Sequence, residues 1–480
     1  MLDEERQDPP LTDTAKRLLP WLVAVGFFME SLDTTILNTA VPAIAHALAV
    51  PPLDMKAVLA SYTLSLAVFI PTSGWMANRF GTRRVFAWAI GTFTTSSFLC
   101  GISTDIHALV AFRILQGCGG AMMLPVGRLV LVRAFAKSEL IRAMSFVAIP
   151  GLVGPMLGPM LGGLIIAYFH WSVIFFVNIP IGILGLALVR RHLPNYRAAK
   201  SDPIDFVGLV LFGSGITLLS YVLEVFGEHT LSGREIASFL AIAATLLAAY
   251  YMHSIHVLHP LLRLGLVRIR SFRVAVRGNL FTRLGIGGLP FLLPLLYQVG
   301  LGYTPLQSGL MIMPQALAAI SFKFTLPGIL RKFGYRRVLI ANTAMLGVML
   351  MAFSLIDVGT PGWLIALLAF GYGFFTSTQY TSMNTLAFAD VAGEEAAGAS
   401  TIASTVQQLA VSFGIASASL TAALFIPDHT RATASEMIHG IHLALRTLGA
   451  WTILSTIVFI ELKPEDGAAV SAHKPGLPAG

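Results

Sequence analysis

The chain has 480 residues, of which 55% are hydrophobic and only 12% charged, about half the charged fraction of an ordinary soluble domain; its mean hydropathy is +0.76. That composition excludes a soluble globular protein. Apolar runs near the ~20 residues that cross a bilayer leave an all-α integral membrane protein, because in lipid each backbone N–H and C=O must be paired within its own segment. A net charge of +8 could suit nucleic acid, but it sits in short loops, where it reads as a topology signal, so no nucleic-acid partner is expected.

The opening "MLDEERQDPP" is acidic and lacks the basic region of a signal peptide. The first apolar run, Leu18 to Val41, is also too long for one, so a retained membrane helix is expected. Fourteen spans are predicted, roughly at 19–41, 57–77, 85–103, 107–130, 142–167, 172–190, 204–226, 236–256, 276–300, 308–330, 337–357, 361–385, 398–424 and 443–462. One set of alternate loops is basic, with Arg79, Arg83 and Arg84, then Arg133 and Lys137, Arg191, Arg197 and Lys200, Arg263, Arg268, Arg270 and Arg273, and Arg331, Lys332, Arg336 and Arg337. The other set is nearly free of Lys and Arg, Arg431 excepted. The positive-inside rule therefore places the basic loops and both termini in the cytoplasm. The loop with Asp390, Glu394 and Glu395 is acidic yet cytoplasmic by parity, and acids weigh little in that rule.

Taken in order, span 1 carries Glu30 and Asp33, three apart on one helical face. Asp33 lies about 18 Å along the axis from Trp21, near the midplane. A carboxylate at that depth costs at least ~2.5 kcal/mol, which makes it a candidate proton carrier or cation contact; a structural bond between helices is the plainer alternative. Span 4 holds Arg113. Cys100 and Cys118 both fall in apolar runs, so neither a disulfide framework nor a metal site is expected. Span 5 contains "GLVGPMLGPMLGG", with Gly154, Gly158 and Gly162 on one stripe, Gly163 beside it, and Pro155 and Pro159 interleaved. Glycines at that spacing let a neighbouring helix approach closely, and the prolines favour a bend; a pliable seam between moving bodies fits, as does ordinary packing. Glu224 reads as interfacial. His253, His256 and His259 near the end of span 8 read as an interfacial cluster rather than a metal site. Span 9 carries Arg283. Gln379 and Asn384 in span 12, and Gln407 and Gln408 in span 13, are cavity candidates that could equally join helices, the plainer reading for all four. Lys323 and Arg128 lie near cytoplasmic ends and are expected to snorkel.

Two loops repeat. "NRFGTRR" at 78–84 and "RKFGYRR" at 331–337 share Phe-Gly-x-Arg-Arg, with Gly81 and Gly334 standing 253 residues apart. The shift spans eight helices, which predicts two parallel six-helix repeats plus an inserted pair: residues 1–190, a two-helix insert at 191–270, and 271–480 with the tail. Parallel halves around a central site suggest a secondary transporter. Glu30 and Arg283 are also 253 apart, so the repeat puts them at equivalent depths, able to pair across the cavity in one state.

The residues then acquire a resemblance. Gly-Pro-x-x-Gly-Gly at Gly158–Gly163 resembles the antiporter motif of major facilitator superfamily exporters. "GWMANRFGTRR", from Gly74 through Asn78, Arg79, Gly81, Arg83 and Arg84, resembles their helix 2–3 gating loop, with Gly334, Arg336 and Arg337 in the second copy. "RILQGCGG", with Arg113, Gln116 and Gly117, resembles the helix 4 signature. "LDTTILNTAVPAI", "WSVIFFVNIPIG" and "LPLLYQVGLGYTPLQSGL" resemble the fourteen-span drug:proton antiporter family. The likeness covers nearly the whole chain. It implies a major facilitator fold, proton coupling through Asp33, Arg113 and Glu30, and a substrate cavity near Glu30, Asp33, Arg283, Asn384 and Gln379. Three positions depart from the pattern: Asn78 replaces an aspartate of the gating loop, Arg331 holds that place in the second copy, and Ser172 follows Trp171 where arginine is common.

The expected activity is proton-coupled export of small amphipathic or cationic compounds, a form of multidrug efflux, from the bacterial inner membrane. A dedicated metabolite, amino-acid or siderophore exporter of the same fold is the nearest alternative, and a non-transporting receptor or sensor the alternative from another class. No nucleotide loop, metal cluster or nucleophile elbow is legible, so neither an enzyme nor a cofactor is expected. The expected partners are the lipid bilayer, protons and a small-molecule substrate, with the protein a monomer.

Overall fold

The computed structural model describes residues 13–135, 137–197, 203–225, 232–321, 325–391, 395–426 and 433–468. The opening MLDEERQDPP stretch, Lys200, Lys323, Glu394 and Arg431 lie outside the described residues, as do the side chains of Lys137 and Glu224.

All the described elements are helical. They form the stretches α1 (Asp13–Ala47), α2 (Pro52–Phe80), α3 (Thr82–Gly101), α4 (Ile106–Ala134), α5 (Lys137–Tyr168), α6 (Val173–His192), α7 (Phe206–Val225), α8 (Gly233–His256), α9 (Arg270–Gly300), α10 (Pro305–Ser321), α11 (Leu326–Phe353), α12 (Gly362–Ala389), α13 (Ala396–Phe425) and α14 (Ala434–Ile460). Among the described residues nine helices are long and apolar enough to cross a membrane. Others dilute their apolar residues with hydroxyls, as α3 does at Thr94–Ser97 and α12 at Thr376–Ser382.

Prolines and glycines set the irregularities. Pro71 breaks α2 with a single 3-10 turn at Ile70–Thr72. In the second half α10 is described as far as Ser321 and α11 begins at Leu326, with Pro327 in its first turn, where the missing N–H costs nothing. The Phe-Gly repeat has a backbone basis. Gly81 (φ 92°, ψ 144°) and Gly334 (φ 72°, ψ 164°) adopt the same conformation, one closed to side chains with a Cβ.

Packing repeats with the loops. In the first half α1 lies against α5, α4 and α6, α2 against α4, and α3 against α4 and α6. Eight helices later α9 lies against α13, α12 and α14, α10 against α12, and α11 against α12 and α14. The two sets meet through α5 with α10 and α2 with α13. The α7–α8 pair touches them through α7, which contacts α2 and α13. α8 is largely exposed and starts at a capping box, Ser232 with Glu235.

The hydrophobic clusters show where the sets join. Toward the end remote from the Phe-Gly loops, one cluster runs through both, from Ile36, Val41 and Leu53 to Phe291, Tyr297, Phe353 and Leu445. Toward the loop end the first set has its own cluster around Phe86, Phe93 and Val126. A third cluster, around Phe272, Tyr335 and Phe459, unites the second set with α7 and with Ala67 of α2.

Candidate functional site

Asp33 is buried on α1 and is held by three donors from two other helices. Arg113 Nη1 of α4 donates to Oδ2 at 2.5 Å, while Gln116 Nε2 of α4 (2.9 Å) and Asn178 Nδ2 of α6 (3.2 Å) donate to Oδ1. Arg113 also donates to Gln116 Oε1 (2.6 Å) and stacks 4.2 Å from the Tyr62 ring centroid, and Gln116 reaches Ser97 Oγ at 2.7 Å. Each of Asp33, Arg113, Gln116 and Asn178 is at most 1% exposed. A buried ion pair repays its desolvation only when the remaining lone pairs and protons are also satisfied, and here Gln116, Asn178 and the Tyr62 face do that. Gln116 was legible only as part of the helix 4 signature that it shares with Arg113. Asn178 and Tyr62 gave no such signal, because nothing in the sequence says which face of α6 or α2 meets α1.

Beside this cluster opens a cavity of about 500 Å³. Its α1 wall is Phe27, Glu30, Ser31, Thr34, Thr35 and Asn38; Tyr62, Thr63, Arg113 and Leu124 continue it, and Phe291, Gln407, Gln408 and Val411 face it from α9 and α13. Glu30 thus lines the cavity, with its Oε2 buried and without a hydrogen-bond partner among the described residues. Arg128, exposed on α4 near the Phe27 ring, is the cation that acts on it. Asp33 stays behind Arg113 and does not line the cavity.

The other expected cavity residues separate. Arg283 is buried on α9; its Nε donates to Asn279 Oδ1 at 2.6 Å and its guanidinium lies 3.7 Å from the Tyr380 ring centroid. It is not paired with Glu30 here. Gln379 is buried on α12 and accepts from Asn342 at 2.8 Å. Asn384 is exposed and outside the cavity wall, whereas Gln407 and Gln408 belong to it.

The α5 stripe makes two seams. A Cβ on Gly154 or Gly158 would stand 2.2 Å from Ser31 Oγ or 2.1 Å from Thr35 Oγ1, and Thr35 Oγ1 donates to the Gly154 carbonyl at 3.3 Å. One on Gly162 would stand 2.6 Å from the Ile36 carbonyl. Gly163 faces the other set: its Cβ would meet the Pro305 carbonyl at 2.5 Å, and one on Gly309 of α10 would meet the Pro159 carbonyl at 2.2 Å. Pro155 and Pro159 sit inside a continuous helix. Gln298 Nε2, donating to the Thr39 carbonyl at 2.9 Å, adds a polar tie at that end.

At the loop end Asn78 Oδ1 accepts from Arg133 at 2.9 Å, a bond to a neutral amide where the family's aspartate would make an ion pair. Gly74, Arg79, Arg83 and Arg84 are exposed, as is Arg337, with Arg336 partly covered. Thr82 is tied to 194–196 by its N–H to the Tyr196 carbonyl and its hydroxyl to the Pro194 carbonyl. The second copy is covered by the tail instead: Gly467 packs on Tyr335, and Arg270 grips Asp466 through Nε (2.8 Å) and Nη2 (2.6 Å). Partial burial pushes the Asp466 carboxyl up, but the Arg270 bonds and the Lys463 N–H outweigh it and hold it below its usual value. His253 Nε2 lies 2.7 Å from Asp205 Oδ1 and His256 Nδ1 2.7 Å from the Met252 carbonyl; no group of three or more metal-ligating side chains occurs among the described residues.

The profile of the Major Facilitator Superfamily matches residues 23–415. The chain belongs to the major facilitator superfamily. Among its curated relatives, a protein of Serratia proteamaculans named "Putative multidrug resistance protein MdtD" is 38% identical over 420 residues, covering 88% of each chain. One of the same name from Cronobacter sakazakii is 39% identical over 444 residues, covering 92% of each. Among solved structures, a POT family transporter in complex with 5-aminolevulinic acid superposes with a TM-score of 0.68 at 14% identity, over 92% of this chain and 95% of that one. This member of the superfamily is a multi-pass membrane transporter.

Proposed function

We propose that this facilitator is a proton-coupled antiporter that exports small amphipathic or cationic compounds by alternating access. Two six-helix bodies, 1–190 and 271–480, flank the 191–270 insert; the recurrence of packing pairs eight helices apart and the shared backbone of Gly81 and Gly334 support that division. Both termini face the cytoplasm of a bacterial inner membrane, and the monomer is the working unit. In that orientation the sealed end is external and the cavity belongs to an inward-facing state.

The observation that carries the reading is the latched Asp33 beside a cavity lined by Arg113 and Glu30. While ionised, Asp33 binds α1 to α4 and α6 through three donors. Protonation removes its charge and loosens all three, freeing Arg113 to turn toward the cavity. Protonation from outside then accompanies substrate release, and deprotonation inside restores the latch. The names of the MdtD relatives support multidrug efflux as the physiological role. The test is transport in energised vesicles by Asp33→Asn: proton-driven efflux should be abolished, and efflux at the wild-type rate would exclude Asp33 as the carrier.

A further inference from the structure

Arg283 is a buried cation that the proton latch does not use. It is 7% exposed on α9, one turn from Gly287, which lines the cavity and whose N–H bonds the Arg283 carbonyl at 2.7 Å. Its two partners, the Asn279 amide oxygen and the Tyr380 ring, are neutral. Among the described residues no carboxylate bonds to it. Guanidinium does not shed its proton in proteins, so it keeps its charge in a setting where an unpaired charge is costly. Arg113 shows the chain's other solution, a buried guanidinium neutralised by an acid from a neighbouring helix.

The geometry at Arg283 is that of a guanidinium fork held on two sides. Asn279 fixes the Nε edge and the Tyr380 face fixes the plane. The two terminal nitrogens are left to meet an acceptor, and a planar fork matches a carboxylate or phosphonate through two parallel bonds. We propose that Arg283 is the anchor for an oxyanionic group, foremost a carboxylate, on the transported ligand, so that substrates of this protein include amphipathic acids or zwitterions and not cations alone. This goes beyond the export reading above, since it concerns what the second body binds and not what drives the cycle. Arg283 does not itself line the cavity; Gly287, one turn on, does, together with Glu30 and its hydroxyl-rich neighbours on α1, where a donor group of a zwitterion would be received.

Matched probes test it: 4-phenylbutyrate, 4-phenylbutylphosphonate and the uncharged 4-phenylbutyramide, which share one apolar body. Their binding to the full-length protein in detergent, without any gradient, is followed by tryptophan fluorescence and by thermal shift, for the wild type, Arg283→Gln and Arg283→Lys. The wild type should bind the acids at least about tenfold more tightly than the amide, an oxyanion bound through a fork being worth that factor or more. Arg283→Gln should bind all three alike, and Arg283→Lys should keep a reduced preference, because a point charge replaces the fork. An unchanged melting temperature and unchanged amide binding certify the fold of Arg283→Gln; if it does not fold, Arg283→Lys carries the comparison. Two results would overturn the assignment: a wild type indifferent to the charge, including one that binds none of the probes, or a preference that survives in Arg283→Gln. Because no proton gradient enters, failure of proton-driven export in vesicles and failure of this assay are separate outcomes.

Discussion

The two bodies share a packing plan yet treat buried charge in opposite ways. In the first, Arg113 and Asp33 neutralise each other, and Gln116, Asn178 and the Tyr62 ring complete their contacts. In the second, Arg283 has an amide and a ring but no acid. Repetition of a backbone therefore does not carry repetition of chemistry: one body holds a closed electrostatic unit, which we propose a proton opens, the other an open one, which we propose a ligand closes.

The comparison is broken hardest at Arg113. Arg113→Ala strips the cation from a buried carboxylate, which costs about 3–5 kcal/mol. Arg283→Ala removes a cation that leaves no acid behind and should cost much less, so thermal unfolding in detergent should rank the pair clearly. Next comes the seam between the bodies. Gly309→Val drives a side chain into the Pro159 carbonyl and should cost about 1–3 kcal/mol of the sealed arrangement. Cysteine cross-linking between α5 and α10 should fall accordingly, while the melting temperature changes little if the other state takes over. At the loops, Gly81→Ala forces a Cβ into a conformation costing about 1–3 kcal/mol and also into Asn195, so it should lower the melting temperature in detergent. The smallest effect belongs to the tail. Asp466→Asn loosens a bidentate pair worth about 1 kcal/mol near the surface. Because the Asp466 carboxyl is held below 3.8, that stability is present above the usual carboxylate range and is lost as pH falls through the lowered value. Melting curves of variant and wild type should differ at pH 7 and converge as the pH falls through that lowered value.

Helix positions were legible because lipid enforces apolar runs, and the Phe-Gly repeat was legible because only glycine tolerates the backbone at 81 and 334. The start of α11 at Leu326, with Pro327 in its first turn, was not, since hydropathy averages over so local a signal. Within the site, depth along a helix could be counted from sequence, which brought Asp33 and, on its face, Glu30 forward, while Arg113 came from the helix 4 signature. Rotation about the helix axis could not. That is why Asp33 turned out to sit behind Arg113 while Glu30 faces the cavity, why Asn178 was missed, and why Gln407 and Gln408, rather than Asn384, border the space.

The single apolar cluster that joins both bodies at one end has a thermal consequence. Contacts of that kind have no fixed direction and weaken on cooling, whereas the Gln298 and Ser412 bonds across the same junction, to the Thr39 and Ala60 carbonyls, do not depend on water in that way. Chilling should therefore loosen the junction while leaving its polar pins in place, so that low temperature, with no cargo and no proton, tilts the molecule toward its opposite posture.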